Sequence, residues 1–177
     1  MPSVKKMASG EIERFWQVYR KKTVEKIIHP DPLGVPTSYS INSYDVALRY
    51  VMPVNFKDQN GAVVVKEGTV IEPLKRSRLM YDLVFIDGRD EQQVGYAIAH
   101  GAKLPTRIIL TAGAPYDLRV KYANTEWLSG KWVPFFFDQR RMVLNSLKQY
   151  YGLNITSVPV VLSQTGSQLR VTYGMQR

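Results

Sequence analysis

The amino-acid sequence predicts an α/β protein built on one mixed sheet. From residue 82 onward, short apolar runs alternate with amphipathic stretches in the order βαβαβαββ. The early runs are separated by helical crossovers, as parallel strands require, whereas the last two meet at a tight turn and must be antiparallel. With 177 residues, 45% of them hydrophobic, the chain can bury one core and a short extra segment.

Residues 10–28, GEIERFWQVYRKKTVEKII, predict an amphipathic helix. Ile12, Phe15, Trp16, Tyr19, Thr23 and Ile27 recur at three- and four-residue steps, and Ser9 is a suitable cap. HPDPLGVP then stops the helix with Pro30, Pro32, Gly34 and Pro36. Residues 1–40 therefore read as a helical arm and a Pro-rich linker. An isolated helix of this length is marginal in water, so its aromatic stripe needs a surface, either on its own chain or on another protein.

Residues 41–79 read as a small β-hairpin unit. Asn60-Gly61 suits a two-residue hairpin turn, both residues tolerating positive φ, and Glu67-Gly68 marks a second turn. With few residues to bury, the unit must lean on something larger.

Residues 80–177 carry the alternating pattern. Leu83-Val84-Phe85-Ile86 is a buried strand ended by Asp87-Gly88. Asp90 opens a helix with Gln93 in the capping-box position, and Gly101 closes it. Arg107–Thr111 is the next strand, and Gly113-Ala114-Pro115 starts a short helix. Val133–Phe137 makes a third strand, after which Asp138 caps a helix to about 149, with Asn154 beyond it in a left-handed turn position. Val160–Leu162 and Leu169–Val171 close the chain as a hairpin around Thr165-Gly166. This order matches a thioredoxin-like core, preceded by the helix and the hairpin unit.

In that architecture a redox dithiol follows the first core strand. Here the place is taken by Asp87-Gly88-Arg89-Asp90-Glu91, and the chain has no cysteine. Thiol–disulfide exchange and thiolate metal sites are excluded, because the thiolate is the reacting species. The Val158-Pro159 bond is expected to be cis, at the start of a strand. Such a proline either only shapes its loop or exposes the backbone of Val158 to an extended peptide. His29 and His100 are not spaced for a metal site, and Ser157 has no histidine base near it in the pattern. No catalytic residue, metal or cofactor is expected. Trp127 and Trp132 lie in a longer link, where they cover the sheet or face a partner.

The net charge is +9, and both halves share it: residues 1–80 hold 13 Lys/Arg against 8 Asp/Glu, and 81–177 hold 11 against 7. Arg20-Lys21-Lys22 is the densest cluster; it reads as a solvated face, as a contact for an acidic partner or anionic surface, or as a nucleic-acid contact. No apolar run is long enough to span a membrane. MPSVKKMASG has lysines but no apolar stretch and is no intact secretion signal.

Taken in order, FKDQNGAVVVKEGTVIEPL (56–74), LVFIDGRDEQQVGYA (83–97), RIILTAG (107–113), FFFDQ (135–139) and SVPV (157–160) resemble TraW, the periplasmic pilus-assembly family of F-type conjugative type IV secretion systems. The link before Pro159 is longer than the family's, and 124–132 is a local insertion. The resemblance implies a non-enzymatic, exported assembly factor, its signal removed, needed for pilus formation and DNA transfer. It further implies partnership with a TrbC-like periplasmic protein and other transfer proteins. The partner-binding residues expected are Phe15, Trp16, Tyr19, Arg20, Lys21 and Lys22 on the helix, with Val158 and Pro159 on the sheet. The rival readings are a peptide-binding holdase that uses the cis-proline surface and a basic nucleic-acid-binding module.

Overall fold

The computed structural model describes residues 9–128 and 132–175. Helix α1 spans Ser9–Ile28; the capping role expected of the Ser9 side chain lies outside what is described. Ten strands follow or flank three further helices: β1 (Asn42–Val46), β2 (Tyr50–Val51), β3 (Phe56–Lys57), β4 (Val63–Val65), β5 (Val70–Ile71), β6 (Asp82–Asp87), α2 (Glu91–Gly101), β7 (Thr106–Ala112), α3 (Pro115–Lys121), β8 (Phe135–Phe137), α4 (Met142–Tyr151), β9 (Val160–Thr165) and β10 (Gln168–Tyr173).

Six of the strands form one sheet in the order β1-β10-β9-β6-β7-β8. β6, β7 and β8 run parallel, whereas β9 pairs antiparallel with β6, β10 with β9 and β1 with β10. The sheet is therefore mixed, as the crossover and hairpin lengths predict. It also reaches outside residues 80–177: β1, which the sequence assigns to the hairpin unit, is its edge strand. NSYDV has no apolar alternation to announce this. Instead its register is held by polar and aromatic cross-strand pairs: Ser43 with Thr172 at 3.0 Å, Tyr44 stacked on Tyr173, and Asp45 bidentate to Arg170 at 2.8 Å on each arm.

Alternation along the strands sends side chains to two cores. On one face Phe85, Ile109, Val160, Leu162, Leu169 and Val171 pack beneath α4 through Leu144, together with Leu48 and Leu74 from the segment ahead of β6. On the other, Val84, Ile86, Ile108, Leu110 and Phe135 meet Val94 and Ala97 of α2 and Leu118 of α3. The hairpin unit, two small ladders β2–β5 and β3–β4, leans on this body. Tyr50 touches Tyr150 of α4 edge-on, and the Gln164 side chain bonds the backbone of Leu74 and Leu79.

Several local expectations change. In the 60–61 turn only Gly61 takes positive φ, at 81°, because Asp58 accepts the amides of Asn60 and Ala62 and closes the loop itself. The third core strand covers 135–137 and not 133–137. Asp138 does cap α4, accepting from Val143 and Leu144 at 2.7 and 3.1 Å across a tight turn at Gln139–Arg141. The left-handed residue after α4 is Gly152, not Asn154: Gly152 and Leu153 donate to Lys148 and Leu147 and end the helix. Gly101 ends α2 as expected, but it serves packing and not a left-handed turn. The Trp127 ring lies where its Cβ would stand, the nearest ring carbon 1.8 Å from that position.

Trp127, 8% exposed, thus covers the sheet through a glycine seat. Gly101→Ala forces the indole off that seat and is expected to destabilise the protein by about 1–3 kcal/mol, as overpacking does. Thermal unfolding measures this, and an unchanged melting temperature would refute the packing described.

Candidate functional site

Ligand sites of open α/β sheets lie at the carboxyl ends of the parallel strands. Here that end holds the corner between β6 and α2, the Val158–Pro159 junction before β9, and the Pro-rich linker.

At the corner every carboxylate has a structural partner. Asp87 binds the Arg89 guanidinium at 2.7 and 3.0 Å and also accepts the Arg89 amide. Asp90 caps α2, accepting from Gln92 and Gln93 at 2.9 and 3.3 Å. Glu91 pairs with Lys121 at 2.6 Å. The corner is tight because Gly88 abuts β7: a Cβ there would lie 2.9 Å from the Ala112 carbonyl oxygen. Gly113, at φ 91°, presses its own backbone against Gly88.

Gln93, fully buried, departs from the capping-box expectation. Its Oε1 accepts the amide of Asp87 at 2.9 Å and its Nε2 donates to Asp90 Oδ2 at 3.0 Å, so it braces the corner instead of reaching the Asp90 amide. The same Nε2 makes a long 3.5 Å contact to Thr37 Oγ1 in the linker.

The Val158–Pro159 bond is cis, and both residues are buried. The Val158 backbone is not open to a partner as the sequence suggests. Its amide donates to the Pro36 carbonyl at 2.9 Å, and its carbonyl accepts from Ser38 at 2.6 Å, with Thr37 in a parallel bridge between them. Farther back, the Leu33 amide bonds the Thr111 carbonyl at the end of β7 at 2.8 Å. The linker therefore crosses the carboxyl end of the sheet as a strap, from β7 to the start of β9. Sequence reasoning reads these prolines as a breaker. The signal that was available is the lone Thr37-Ser38 after Pro36, which restores an amide where a ladder bond is made.

The remaining predicted residues lie apart, on α1. Phe15 and Tyr19 stack at 6.1 Å, and Trp16 meets both edge-on at 5.5 and 5.8 Å. Trp16 and Tyr19 are exposed, as are Arg20, Lys21 and Lys22. None of the described α1 side chains is buried, and the helix touches the body near its C-terminal end. There His29 reaches Asp117 at 3.6 Å. The structure does not bring Val158 and Pro159 together with the α1 residues into one site. Trp132 is exposed with the Arg119 guanidinium over its ring at 4.7 Å.

Among the described residues no group of three or more His, Cys, Asp or Glu gathers as a metal site, and no helix is long and apolar enough to cross a membrane. No protein-family model matches this chain, and no curated protein or solved structure does either.

Two measurements test this geometry. The hydrogen bonds of the Arg89 guanidinium, helped by the Arg89 amide and then by its charge, hold the Asp87 carboxyl below the ordinary carboxylate range against an opposing burial effect. A depressed pKa contributes stability that is full above the unfolded value of about 3.9 and is lost as pH falls through the folded value. Arg89→Ala is expected to raise the Asp87 midpoint toward that value in an NMR titration and to reduce stability at neutral pH; an unmoved midpoint would contradict the pairing. The strap predicts slow hydrogen exchange at the Ser38 and Val158 amides, comparable with sheet amides. Exchange at the rate of an unprotected chain would show the strap detached.

Proposed function

We propose that the chain is a non-enzymatic binding scaffold, and that it serves as a periplasmic assembly factor of a conjugative type IV secretion system. The observation that carries the first part is the strap. The place where a thioredoxin-like protein would work on substrate is covered by residues 33–38, and both hydrogen-bonding groups of Val158 are engaged by its own chain. The order β10-β9-β6-β7, with crossover helices between the parallel strands, supports the thioredoxin-like reading of the core. Asp87, Asp90 and Glu91, all engaged structurally, stand where a dithiol would.

The second part rests on the ordered TraW-like runs in the sequence, which imply a TrbC-like partner and other transfer proteins. Half-buried Phe15, with exposed Trp16, Tyr19, Arg20, Lys21 and Lys22, offers such a partner an aromatic and basic helix face. The occupied Val158 backbone weighs against the holdase alternative. The sharing of positive charge between both halves of the chain weighs against a nucleic-acid module, which concentrates its cations on one face.

A tagged pull-down from the periplasm of donor cells carrying a full transfer operon, read by mass spectrometry, tests the reading. A defined set of transfer proteins is expected. A broad mixture of unrelated envelope proteins would favour the holdase, and recovery of no transfer protein would leave the conjugation assignment without support. Phe15→Ala with Trp16→Ala is expected to weaken recovery while lowering the melting temperature by no more than about 2–4 °C, since surface substitutions are usually within ±0.5 kcal/mol each. Parallel loss of melting temperature and binding would sink the separation of helix face from core.

A further inference from the structure

Among the described residues the sheet ends at β8, and beside it runs a cleft of about 830 Å³. Its walls are the C-terminal half of α1, the start of the linker, the first turn of α3 and β8 itself. The apolar lining includes Ile27 and Tyr116, 63% and 59% exposed, so this surface is uncovered in the free chain.

The charges around it are unbalanced. Lys26, Arg119 and Arg140 line the cleft against the single carboxylate of Asp31, which is already paired with Lys26 at 3.2 Å. Arg119 is fixed in the wall: its Nη2 donates to the Phe135 carbonyl at 3.3 Å, and its guanidinium lies over Trp132. Its Nε is sealed from solvent and has no partner among the described residues. Arg140 is held in the left-handed region at φ 55°, followed by Arg141 at 57°. That conformation is uncommon for residues other than Gly, Asn and Asp, and two in succession place Arg140 at the cleft while Arg141 Nη1 bonds the Leu33 carbonyl at 3.1 Å. Arg140 has no acidic partner among the described residues.

We propose that this cleft is a second binding surface, and that its occupant is an extended segment of another protein carrying an acidic residue between apolar ones. The apolar walls bind the flanking side chains, and the carboxylate answers Arg119 and Arg140, for which a planar guanidinium is well suited. A nucleic acid fits the lining less well, because it requires a line of cations that tracks successive phosphates and gains nothing from Ile27 and Pro32. The cleft is separate from the Phe15, Trp16 and Tyr19 stripe, so its failure would leave the helix-face reading standing.

Arg140→Gly is the discriminating variant. Glycine adopts the left-handed backbone freely, so this change removes the guanidinium without disturbing the turn and is expected to leave the melting temperature equal or raised. The wild-type chain is used to select from a displayed library of random dodecamer peptides, and the enriched sequences are synthesised, each with its acidic residue or with the corresponding amide. Enrichment of sequences with Asp or Glu between apolar residues is expected. Binding should weaken about tenfold or more for the amide peptide and for the Arg140→Gly chain, the factor lost with one charge-assisted hydrogen bond. The proposal is overturned by no enrichment, by enriched peptides without an acidic residue, or by equal binding to the glycine variant. Tighter binding of an oligothymidylate at the same residues would overturn it in favour of nucleic acid. Concentration-dependent dimerisation lost in Arg140→Gly would assign the cleft to a second copy of the chain.

Discussion

The structure depends on how the two backbone groups of Val158 are satisfied. A buried amide or carbonyl left without a partner costs about 1–3 kcal/mol, and this residue is fully buried with both. Pro36 supplies the acceptor and Ser38 the donor. Once those bonds are made, the chain on either side has little freedom. Upstream, Leu33 is drawn to Thr111, which fixes where α1 joins the body. Downstream, the chain passes Gly174, where a Cβ would lie 2.8 Å from the Ser40 carbonyl oxygen, and enters β1 in register with β10. One short bridge thus connects arm, strap and edge strand to a sheet whose other strands come from residue 82 onward.

The strap also explains the form of the β6–α2 corner. The polar groups of the corner are spent on one another. Arg89 neutralises Asp87, Asp90 serves the helix amides, and Gln93 links both to the backbone and reaches toward Thr37. Charge-assisted bonds of this kind are the strong ones, and their effect here is to make the corner rigid. The geometry at the carboxyl end of the sheet is that of a closed support.

Legibility from the sequence followed the range of the forces. Elements set by local chemistry were readable: α1 from its apolar spacing, α2 from Asp90, α4 from Asp138, and the last hairpin from Gly166, which takes φ 61°. So was the mixed sheet, because crossover length dictates strand direction. What depended on distant partners was not. β1 lies opposite a strand 125 residues later and shows mostly exposed side chains, so no periodicity marks it. Gly101 does end α2, but the indole that needs its space is remote in sequence and was not announced. The left-handed turn was read at Asn154, whereas the placement of Leu153 in the core puts it at Gly152. At the candidate site, proline spacing announced a linker but not its destination, and nothing local announced two left-handed arginines.

These limits bear on where recognition can occur. A body whose sheet is covered on both faces, and whose carboxyl end is strapped, presents only what its periphery leaves unpaired. That periphery is uneven. The β1 edge is short and carries the Asp45–Arg170 pair, a feature that blunts edge-to-edge association. The β8 edge is shorter still, yet it adjoins exposed apolar groups and unneutralised arginines. α1 buries none of its described side chains, and its aromatic rings satisfy one another only in part. Hydrophobic burial is the main gain available to an association, and beside β8 the exposed Ile27 and Tyr116 offer it next to cations that a partner's carboxylate can answer.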